Sequence, residues 1–464
     1  MPTMIKNIAI ILAAGAGDRA AFSRPKQLVK LAGRPIIAHT LERLQKHPLI
    51  DEIAIITSSV CIGEIENLVI HEHATKVKKV LLGGKERYES SLAAIRAYAE
   101  ESKAHEIRFI FHDAVRPMIS DRIITDVVEA LKHHRAVDVT IPAADTIITA
   151  DADTNTIREI PDRRFIHLGQ TPQGFAYNTI KEAYDVALRD PGFRTTDDCG
   201  VVVKYLPQEK VYLVRGELTN AKLTFADDLL ILDKFMQCNA SRRLNATADS
   251  ALLDGLRGRS LVIFGGTSGI GASMAQLAKS FGATVQVASR LTGVNIADAT
   301  GVERFLGESA AATGRIDAII NAAAILNRQP LANMTTQAVD ESIHTNFLGA
   351  VNVARLGYKH LEATHGHLMF FTSSSYTYGR AYYSLYSASK AAIVNLTQAL
   401  ADEWAGADIH VNCINPERTN TPMRVKNFGA EPPETLLNPD EVARKALGVL
   451  VGSSTGFIYD ITKT

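Results

Sequence analysis

Cysteine and tryptophan are scarce in this chain, and net charge is absent. The 464 residues contain four cysteines and one tryptophan, and 50 basic residues balance 50 acidic ones. Cys61, Cys199, Cys238 and Cys413 form no Cys-x-x-Cys pair, so neither a disulfide framework nor a zinc site is predicted. We expect reduced thiols in a cytoplasmic protein. Zero net charge creates no global field that would favour nucleic acid or an anionic membrane.

Long apolar runs are missing as well. None approaches the ~18 residues that span a bilayer. The first apolar stretch, Ile8–Ala14, is followed at once by charged residues, which favours a buried strand over a signal peptide. A composition of 46% hydrophobic and 22% charged residues is ordinary for a globular protein with a full core. The expected partners are therefore small molecules rather than a membrane or nucleic acid.

Short apolar runs alternate with amphipathic stretches along most of the chain, which is typical of doubly wound α/β sheets. Such sheets bind ligands beyond the carboxyl ends of their strands. A stretch of small and polar residues interrupts the alternation and predicts a linker at 239–257 between domains at 1–238 and 258–464. The predicted strands are Ile8–Ala14, Glu52–Thr57, Lys79–Leu82, Arg108–His112 and Val137–Pro142, then Leu261–Phe264, Thr284–Ala288, Ala318–Asn321, His367–Thr372 and His410–Asn415.

The first predicted strand runs into a loop of small residues, Leu12-Ala-Ala-Gly-Ala-Gly-Asp-Arg19, followed by Pro25-Lys26-Gln27. Small residues let backbone N–H groups approach a polyphosphate, and Arg19 and Lys26 add positive charge. The loop is not a Walker motif, because no Gly-Lys-Ser/Thr follows, and Ala20 stands where a dinucleotide fingerprint has its third glycine. Taken alone, it is equally compatible with a simple strand-to-helix turn.

Four further motifs accompany this loop: Gly83-Gly84-x-x-Arg87-x-x-Ser90, His112-Asp113-Ala-Val-Arg116-Pro117, Thr171-Pro172-Gln173 and Asn220-Ala-Lys222-Leu-Thr224. Together the set resembles, over about residues 5–235, the cytidylyltransferases that make CDP-alcohols from CTP. Methylerythritol-phosphate and ribitol-phosphate cytidylyltransferases typify that family. The resemblance implies a GT-A-like nucleotidyltransferase fold and attack of an alcohol phosphate on the α-phosphorus of CTP.

The resemblance also implies a role for each matching residue. The triphosphate, and the charge that develops during transfer, would be held by Arg19, Lys26 and Lys222. The CTP-binding positions would be Ala13, Ala14, Gly15, Gly17, Gly83, Gly84, Ser90 and Asp113, with Asp113 also binding Mg²⁺. The acceptor phosphate would be gripped by Arg116, Thr146 and Arg163. The alternative for Asp113-Ala-Val-Arg116 is a turn with a surface ion pair, and no second metal carboxylate is evident around Glu217.

A second glycine-rich loop, Gly265-x-x-x-Gly269-x-Gly271, follows the strand Leu261–Phe264 and opens a predicted helix. The pyrophosphate of a dinucleotide can bind at such a helix N-terminus. Asn321, Asn346, Ser373, Tyr386 and Lys390 follow in order. Over 259–464 this set resembles the short-chain dehydrogenase/reductase family. A purely structural role is the alternative for these residues, since Tyr386 and Lys390 are four residues apart and would lie on one face of any helix.

This second resemblance implies a hydride-transfer site. Tyr386 would protonate the carbonyl oxygen, and Lys390 would lower the pKa of that tyrosine and bind the nicotinamide ribose. Ser373 would hold the substrate oxygen, with Ser374 as an alternative, and Asn346 would anchor a proton-relay water. The remaining cofactor-binding positions would be Gly265, Ser268, Gly269, Ile270, Gly271, Ser289, Arg290, Asn295 and Asn321.

The strand Thr284–Ala288 ends in Ser289-Arg290 rather than in an acidic residue. A carboxylate there would bind the 2′-hydroxyl of NAD, whereas arginine suits the 2′-phosphate of NADP, so NADPH is expected. Two positions depart from the family pattern, with Phe264 in place of Thr and Glu417 in place of Gly. The loop that contacts the substrate is therefore expected to be atypical.

The two resemblances together suggest consecutive reactions. Ribulose 5-phosphate would be reduced to ribitol 5-phosphate, which CTP would convert to CDP-ribitol for a surface polysaccharide. This arrangement resembles bifunctional ribulose-phosphate reductase/CDP-ribitol pyrophosphorylases. One alternative is a methylerythritol-phosphate cytidylyltransferase fused to an unrelated reductase, and another makes one domain a degenerate binding or dimerisation module. A homodimer or higher oligomer is expected, from the resemblance to short-chain reductases.

Overall fold

The computed structural model describes residues 5–15, 22, 24–151, 153–246 and 250–463. Its internal contacts divide the chain into two compact units, Met1–Asp233 and Lys234–Thr464. The division falls within the helix Asp228–Ala246 (α7). Among the described residues, no helix is both long and apolar enough to cross a membrane.

The first unit contains twelve described strands, and six helices precede α7. The strands are β1 Ile5–Ala13, β2 Lys30–Leu31, β3 Arg34–Pro35, β4 Glu52–Thr57, β5 Val77–Leu82, β6 Glu106–Asp113, β7 Ala136–Pro142, β8 Thr149–Ala150, β9 Ile157–Glu159, β10 His167–Gly169, β11 Gln173–Ala176 and β12 Val211–Arg215. The helices are α1 Ile36–Lys46, α2 Ile62–His71, α3 Arg87–Ala97, α4 Asp121–Ala130, α5 Tyr177–Ala187 and α6 Asp198–Tyr205.

Eight of these strands form the main sheet, in the order β10-β7-β11-β6-β1-β4-β5, with β12 also pairing with β7. β1 is parallel to both β4 and β6, whereas β11 is antiparallel to β6 and β7. The sheet is therefore mixed. From β1 the chain first moves to one side, to β4 and β5, and then crosses to β6 on the other side. That reversal lies between β1 and β6.

Alternate residues of the central strands supply two hydrophobic layers. On β1, Ala9 and Ile11 face one layer and Ile8 and Ile10 face the other, and all four are fully buried. Helices cover both faces, so the central strands β1 and β4 consist largely of apolar residues. This explains why the strand bounds predicted from apolar runs fall within three residues of those observed for the five predicted strands of this unit.

Among its described residues, the second unit contains six strands and, after α7, eight helices. The strands are β13 Ser260–Phe264, β14 Thr284–Ala288, β15 Ala318–Asn321, β16 His367–Phe371, β17 His410–Pro416 and β18 Ile458–Ile461. The helices are α8 Ser250–Leu253, α9 Gly269–Ser280, α10 Ala299–Thr313, α11 Thr336–Ile343, α12 Gly349–Glu362, α13 Ser384–Glu403, α14 Pro422–Phe428 and α15 Pro439–Val449.

All six strands are parallel, in the order β14-β13-β15-β16-β17-β18. The reversal of strand order lies between β13 and β15, and the second glycine loop leaves β13 at that point. Both units are thus layered α/β structures, which confirms the predicted fold class. β18 had no counterpart in the sequence prediction, although it is as long as β15, which was predicted.

The range 239–257, expected to be a linker, falls within the second unit, and its described residues are mostly helical. α7 continues to Ala246, and Leu253 and Leu256 are buried. Polar contacts attach the end of α7 to the sheet: Asn245 Nδ2 donates to the Asp460 carbonyl over 2.9 Å, and the Asp460 N–H donates to Ser241 Oγ over 2.9 Å.

We expect a stacked pair of histidines, of which His367 is buried, to make the second unit sensitive to acid. His367 and His410 begin adjacent strands in register, and their rings stack with centroids 4.7 Å apart. Burial, with a smaller contribution from His410, lowers the pKa of His367 to about 3. Because this value lies below the ~6.5 of an exposed histidine, the stabilisation is complete above pH ~6.5 and is lost as the pH falls towards 3.

We therefore expect His367→Phe to flatten the decline in the free energy of unfolding of the second unit between pH ~6.5 and 4. Denaturant titrations at several pH values would measure it. His71→Phe is the control, because the side chain of His71 is 84% exposed. A variant with the same pH dependence as the unmodified chain would contradict the assignment.

Candidate active sites

The first candidate site lies at the carboxyl ends of β1 and β6. Asp113 is the last residue of β6, stands in register with Leu12 of β1 and is only 5% exposed. Its backbone N–H donates to the Thr171 hydroxyl over 3.1 Å. The order of the strands reverses between β1 and β6, and doubly wound sheets bind ligands at such a reversal.

Three cations surround the Asp113 carboxylate. Arg87 Nη1 lies 2.6 Å from Oδ1, while Lys222 Nζ and Arg116 Nε lie 2.9 and 3.3 Å from Oδ2. Burial opposes ionisation of this carboxyl, but Arg87, Lys222 and Arg116 together outweigh it and hold the pKa of Asp113 well below its ordinary value. The group is therefore a carboxylate at neutral pH, the form that binds a metal ion.

Arg87 connects this site to a second buried carboxylate that the sequence analysis missed. Its Nη2 lies 3.3 Å from Oδ2 of Asp198, which is fully buried, and the Tyr184 hydroxyl donates to Oδ1 of Asp198 over 2.6 Å. Burial opposes the charge on Arg87, but Asp113 and Asp198 raise the pKa of this guanidinium above its ordinary value. The arginine in the Gly-Gly-x-x-Arg motif was an available signal, whereas Asp198 had none.

The predicted cytidine-binding residues meet at Gly83. A Cβ on Gly83 would lie 2.5 Å from Ser90 Oγ and 2.7 Å from Ala14 Cβ, distances that real Cβ atoms do not tolerate. A Cβ on Gly84 would likewise meet Glu89. Only glycine allows the loop after β5 to pack this closely on the loop after β1, so the fold itself brings Ala14, Gly83 and Ser90 together.

The first glycine loop is described in part. Ala13 ends β1, Ala14 and Gly15 follow it, and the Gln27 side chain donates to the Ala13 carbonyl over 2.8 Å. Lys26 opens the short helical turn that contains Gln27. Two predicted phosphate-binding residues, Gly17 and Arg19, lie outside the described residues.

The predicted acceptor-phosphate residues divide into two groups. Arg116 is in the Asp113 cluster, and its Nη1 also donates to the Asn220 carbonyl over 2.8 Å. Thr146 and Arg163 are exposed near the β8–β9 hairpin, where Arg163 donates to the Ala144 carbonyl over 3.0 Å. Among the contacts of the described residues, none joins Thr146 or Arg163 to Asp113.

Glu217 does not provide a second carboxylate for a metal at Asp113. Its Oε1 accepts from the Ser120 hydroxyl over 2.8 Å and lies 3.0 Å from Arg122 Nη2. Within the part of the chain that is described, no group of three or more His, Cys, Asp or Glu side chains is placed to hold a metal ion. Any ion at Asp113 therefore needs ligands from phosphate and water.

The second candidate site begins at the glycine loop after β13. Gly265 has φ +79°, and a Cβ there would lie 2.6 Å from the backbone nitrogen of Ala323. A Cβ on Gly271 would lie 2.3 Å from the Gly265 carbonyl oxygen. The loop thus packs tightly against its neighbours before α9 begins at Gly269. The N-terminus of α9 faces a cavity of about 390 Å³.

Most of the predicted reductase residues line this cavity. Its walls include Gly265, Ser268, Gly269, Ile270, Gly271, Ser289, Arg290, Asn295, Ser373, Tyr386 and Lys390. Asn321 lies at the end of β15, where its Oδ1 accepts from the Ala323 N–H over 3.2 Å. Residues from six separate segments therefore converge at the carboxyl edge of the sheet.

Tyr386 and Lys390 lie one helical turn apart on α13. Lys390 Nζ is 5.5 Å from the centroid of the Tyr386 ring and donates to the Phe371 carbonyl over 2.7 Å. Burial lowers the pKa of Lys390 to about 8. Burial also raises the pKa of Tyr386 to about 12, although a hydrogen bond with Ser373 lowers it.

The expectation that Lys390 lowers the pKa of Tyr386 is not met in this structure. Burial dominates, and the ammonium group is directed to a backbone carbonyl instead of to the phenol oxygen. A phenol with a pKa of about 12 is fully protonated at neutral pH. Tyr386 is therefore in the form that donates a proton.

Asn346 lies in a wide helical turn, His344–Leu348, that has π-helical hydrogen bonding and separates α11 from α12. Its Oδ1 accepts from the Ile325 N–H over 2.8 Å, and its Nδ2 donates to the Ile325 carbonyl over 2.9 Å. Such turns often occur at functional sites. The side chain fixes the segment after β15, which also lines the cavity.

Comparison with known proteins supports the family predicted for each half of the chain. The 2-C-methyl-D-erythritol 4-phosphate cytidylyltransferase family (IspD) matches residues 7–238, and the short chain dehydrogenase family matches residues 290–431. The bifunctional ribulose 5-phosphate reductase/CDP-ribitol pyrophosphorylase of Haemophilus influenzae is 44% identical over 457 residues, which cover 98% of this chain and 96% of that protein. The chain belongs to this bifunctional family.

Two further similar proteins cover the first half of the chain. The 2-C-methyl-D-erythritol 4-phosphate cytidylyltransferase of Thermobifida fusca is 37% identical over 237 residues, 50% of this chain and 94% of that protein. The solved structure of 4-diphosphocytidyl-2C-methyl-D-erythritol synthase from Anaerococcus prevotii is 26% identical, with a TM-score of 0.44, and covers 50% of this chain and 96% of its own. As a member of the bifunctional family, the chain is an enzyme with a cytidylyltransferase domain and a short-chain reductase domain. Reductases of this second type use a nicotinamide cofactor.

The bridge formed by Arg87 predicts a large loss of stability when this side chain is removed. Arg87→Met leaves Asp198, which is fully buried, without a cation. We expect the first unit to lose about 3–5 kcal/mol in free energy of unfolding, measured by denaturant titration. Arg164→Met is the control, because its partner Asp162 and Arg164 itself are exposed and such pairs contribute about 1 kcal/mol or less. Equal losses in the two variants would refute the bridging role.

Proposed function

We propose that the chain reduces D-ribulose 5-phosphate to D-ribitol 5-phosphate with NADPH and then transfers the cytidylyl group of CTP to it. The products would be CDP-ribitol and pyrophosphate, with CDP-ribitol serving capsule or other surface polysaccharide synthesis. One observation carries this proposal: the Haemophilus influenzae relative, whose name joins both activities, matches 98% of the chain at 44% identity. The half-length cytidylyltransferase relatives leave the reductase domain unexplained.

In the reductase domain, Tyr386 donates its proton to the carbonyl oxygen of the ketose as that oxygen gains charge. The glycine loop and the cavity walls fit a dinucleotide, which supplies the hydride when bound. Ser373, which hydrogen-bonds Tyr386, holds the same oxygen. Lys390 binds the nicotinamide ribose, and Asn346 anchors a water that returns a proton to Tyr386.

In the cytidylyltransferase domain, catalysis consists of positioning and charge stabilisation. Arg19, Lys26 and Lys222 bind the triphosphate, while Arg116, Thr146 and Arg163 hold the phosphate of the acceptor. Asp113 fits a Mg²⁺ site, because Mg²⁺ usually takes one or two carboxylates and completes its shell with phosphate oxygens and water. When bound, Mg²⁺ neutralises charge on the phosphates. The ammonium group of Lys222, one-third exposed beside Asp113, is within reach of phosphates there.

We further propose that both reactions take place in the cytoplasm and that the enzyme is a homodimer. The cysteine content and the metabolic substrates support the first statement. The apolar segment after Tyr386 on α13 supports the second, because short-chain reductases commonly pair through the helices that flank this tyrosine.

Two residues at the edge of the cavity support a preference for NADPH. Arg290 and Ser289 line it directly after β14, where a 2′-phosphate would lie. Arg290 Nη1 also lies 2.9 Å from Glu341 Oε1, but both side chains are more than 45% exposed, so the pair is readily exchanged for a phosphate.

We expect Arg290→Ala to raise KM for NADPH by about 10- to 100-fold and to leave KM for NADH nearly unchanged. Initial rates of cofactor oxidation at fixed ketose phosphate would measure both constants. The exposed Arg304→Ala, on the outer helix α10, is the matched control. A wild-type enzyme that prefers NADH would refute the proposal.

The two half-reactions can be tested together and separately. With ribulose 5-phosphate, NADPH and CTP, the enzyme should release pyrophosphate, and omission of NADPH should abolish release until ribitol 5-phosphate is added. Tyr386→Phe should lose the reduction, by on the order of 1,000-fold, and keep transfer to added ribitol 5-phosphate. Lys26→Ala should do the reverse. Each variant thus serves as the control for the other.

Two results would favour the other readings. Pyrophosphate release with methylerythritol phosphate and not with ribitol 5-phosphate would support a methylerythritol-phosphate cytidylyltransferase fused to an unrelated reductase. Failure of either half-reaction in the unmodified enzyme would make that domain a binding or dimerisation module.

A further inference from the structure

Four arginines line the reductase cavity, and they differ in what neutralises them. Arg290 pairs with Glu341, and Arg424 makes two bonds, 2.6 and 2.8 Å long, to the carboxylate of Glu431. Arg418 also interacts with Glu431: Arg424 chiefly, and Arg418 to a smaller extent, hold the pKa of Glu431 below its ordinary value. Three of the four cations therefore lie near carboxylates.

Arg380 is different. Its Nη2 donates to the hydroxyl oxygen of Ser374 over 2.9 Å, a neutral partner. Among the contacts of the described residues, none pairs Arg380 with a carboxylate. A guanidinium held by a hydroxyl keeps its full charge and several free N–H donors, which together suit a phosphate group.

The loop that carries Arg380 is fixed to the catalytic helix. The Arg380 N–H donates to Ser387 Oγ, next to Tyr386, over 3.4 Å. On the other side of the loop, the Tyr382 carbonyl accepts from the Gln329 N–H over 2.7 Å. These contacts hold the backbone of the loop, and Arg380, although exposed, lies in the cavity wall.

Two adjacent serines, Ser373 and Ser374, relate Arg380 to the reacting groups. Its partner Ser374 follows Ser373, and Ser373 hydrogen-bonds Tyr386. A ketose bound with its carbonyl oxygen at Ser373 and Tyr386 therefore has Arg380 on the same wall. Tyr383 and Phe428, whose ring centroids are 6.0 Å apart, also line the cavity and supply part of its apolar surface.

We propose that Arg380 binds the phosphate monoester of the ketose substrate and thereby selects a phosphorylated sugar over a free one. The inference rests on the proposed function of the reductase domain and adds to it the residue that recognises the substrate. The phosphate is at the opposite end of the pentose from the carbonyl group. Arg380 is a specificity residue, since it touches the substrate away from the reacting atoms.

The test compares NADPH oxidation with D-ribulose 5-phosphate and with unphosphorylated D-ribulose. We expect Arg380→Met to lower kcat/KM for the phosphorylated ketose by about 10- to 100-fold and to leave that for D-ribulose unchanged. Arg380→Lys should recover part of the loss. Inorganic phosphate should inhibit reduction of D-ribulose by the unmodified enzyme, and Arg380→Met should weaken that inhibition.

Arg328→Met is the matched control, because Arg328 is exposed near Phe428 and is absent from the cavity lining. KM for NADPH should be the same in all variants. An equal loss with both sugars, no loss with either, or a rise confined to KM for NADPH would overturn the inference. If the unmodified enzyme fails to reduce D-ribulose 5-phosphate, the proposed function fails first. If it succeeds and Arg380→Met matches it, only the role of Arg380 fails.

Discussion

Both sites depend on one constraint: central strands that are covered on both faces consist mainly of apolar residues, so the polar and charged groups that bind ligands collect at the carboxyl ends of the strands. Asp113 ends β6, and the loop containing Gly265 follows β13. In each unit the strand order reverses at this place, which opens a crevice between neighbouring loops. Once the hydrophobic core has fixed the positions of the strands, the loops that follow them lie close together, although they are distant in sequence.

Much of this was predictable from sequence, for a physical reason. The apolar run of β13 marks a buried strand, and glycines mark close approaches: a Cβ on Gly83 would lie 2.5 Å from Ser90 Oγ, and one on Gly271 would lie 2.3 Å from the Gly265 carbonyl oxygen. Such constraints limit which residue types a position accepts, so they can be recognised in the sequence. The resemblance to the cytidylyltransferases assigned Asp113, Arg116 and Lys222 to the first site, and the structure places these three side chains together.

Features that arise from long-range packing left no such trace. Asp198 pairs with Arg87 from 111 residues away, and the antiparallel strand β11 is inserted between β6 and β7. The pKa of Tyr386 depends on how much of the phenol is buried, and spacing to Lys390 does not report burial. Arg380 likewise resembles any exposed loop arginine until the partners of its neighbours in the cavity are known.

The wide turn at His344–Leu348 has a consequence for how this fold tolerates change. α11, the turn and α12 form one uninterrupted helical run in which the turn holds one residue more than a regular helix would. Deleting a residue there would restore regular geometry but rotate one flanking helix by about 100° relative to the other. The shortened segment could not both bury Ala350 and Val353 on α12 and direct Asn346 inward. The chain length of this segment is therefore as strictly constrained as the identity of its asparagine.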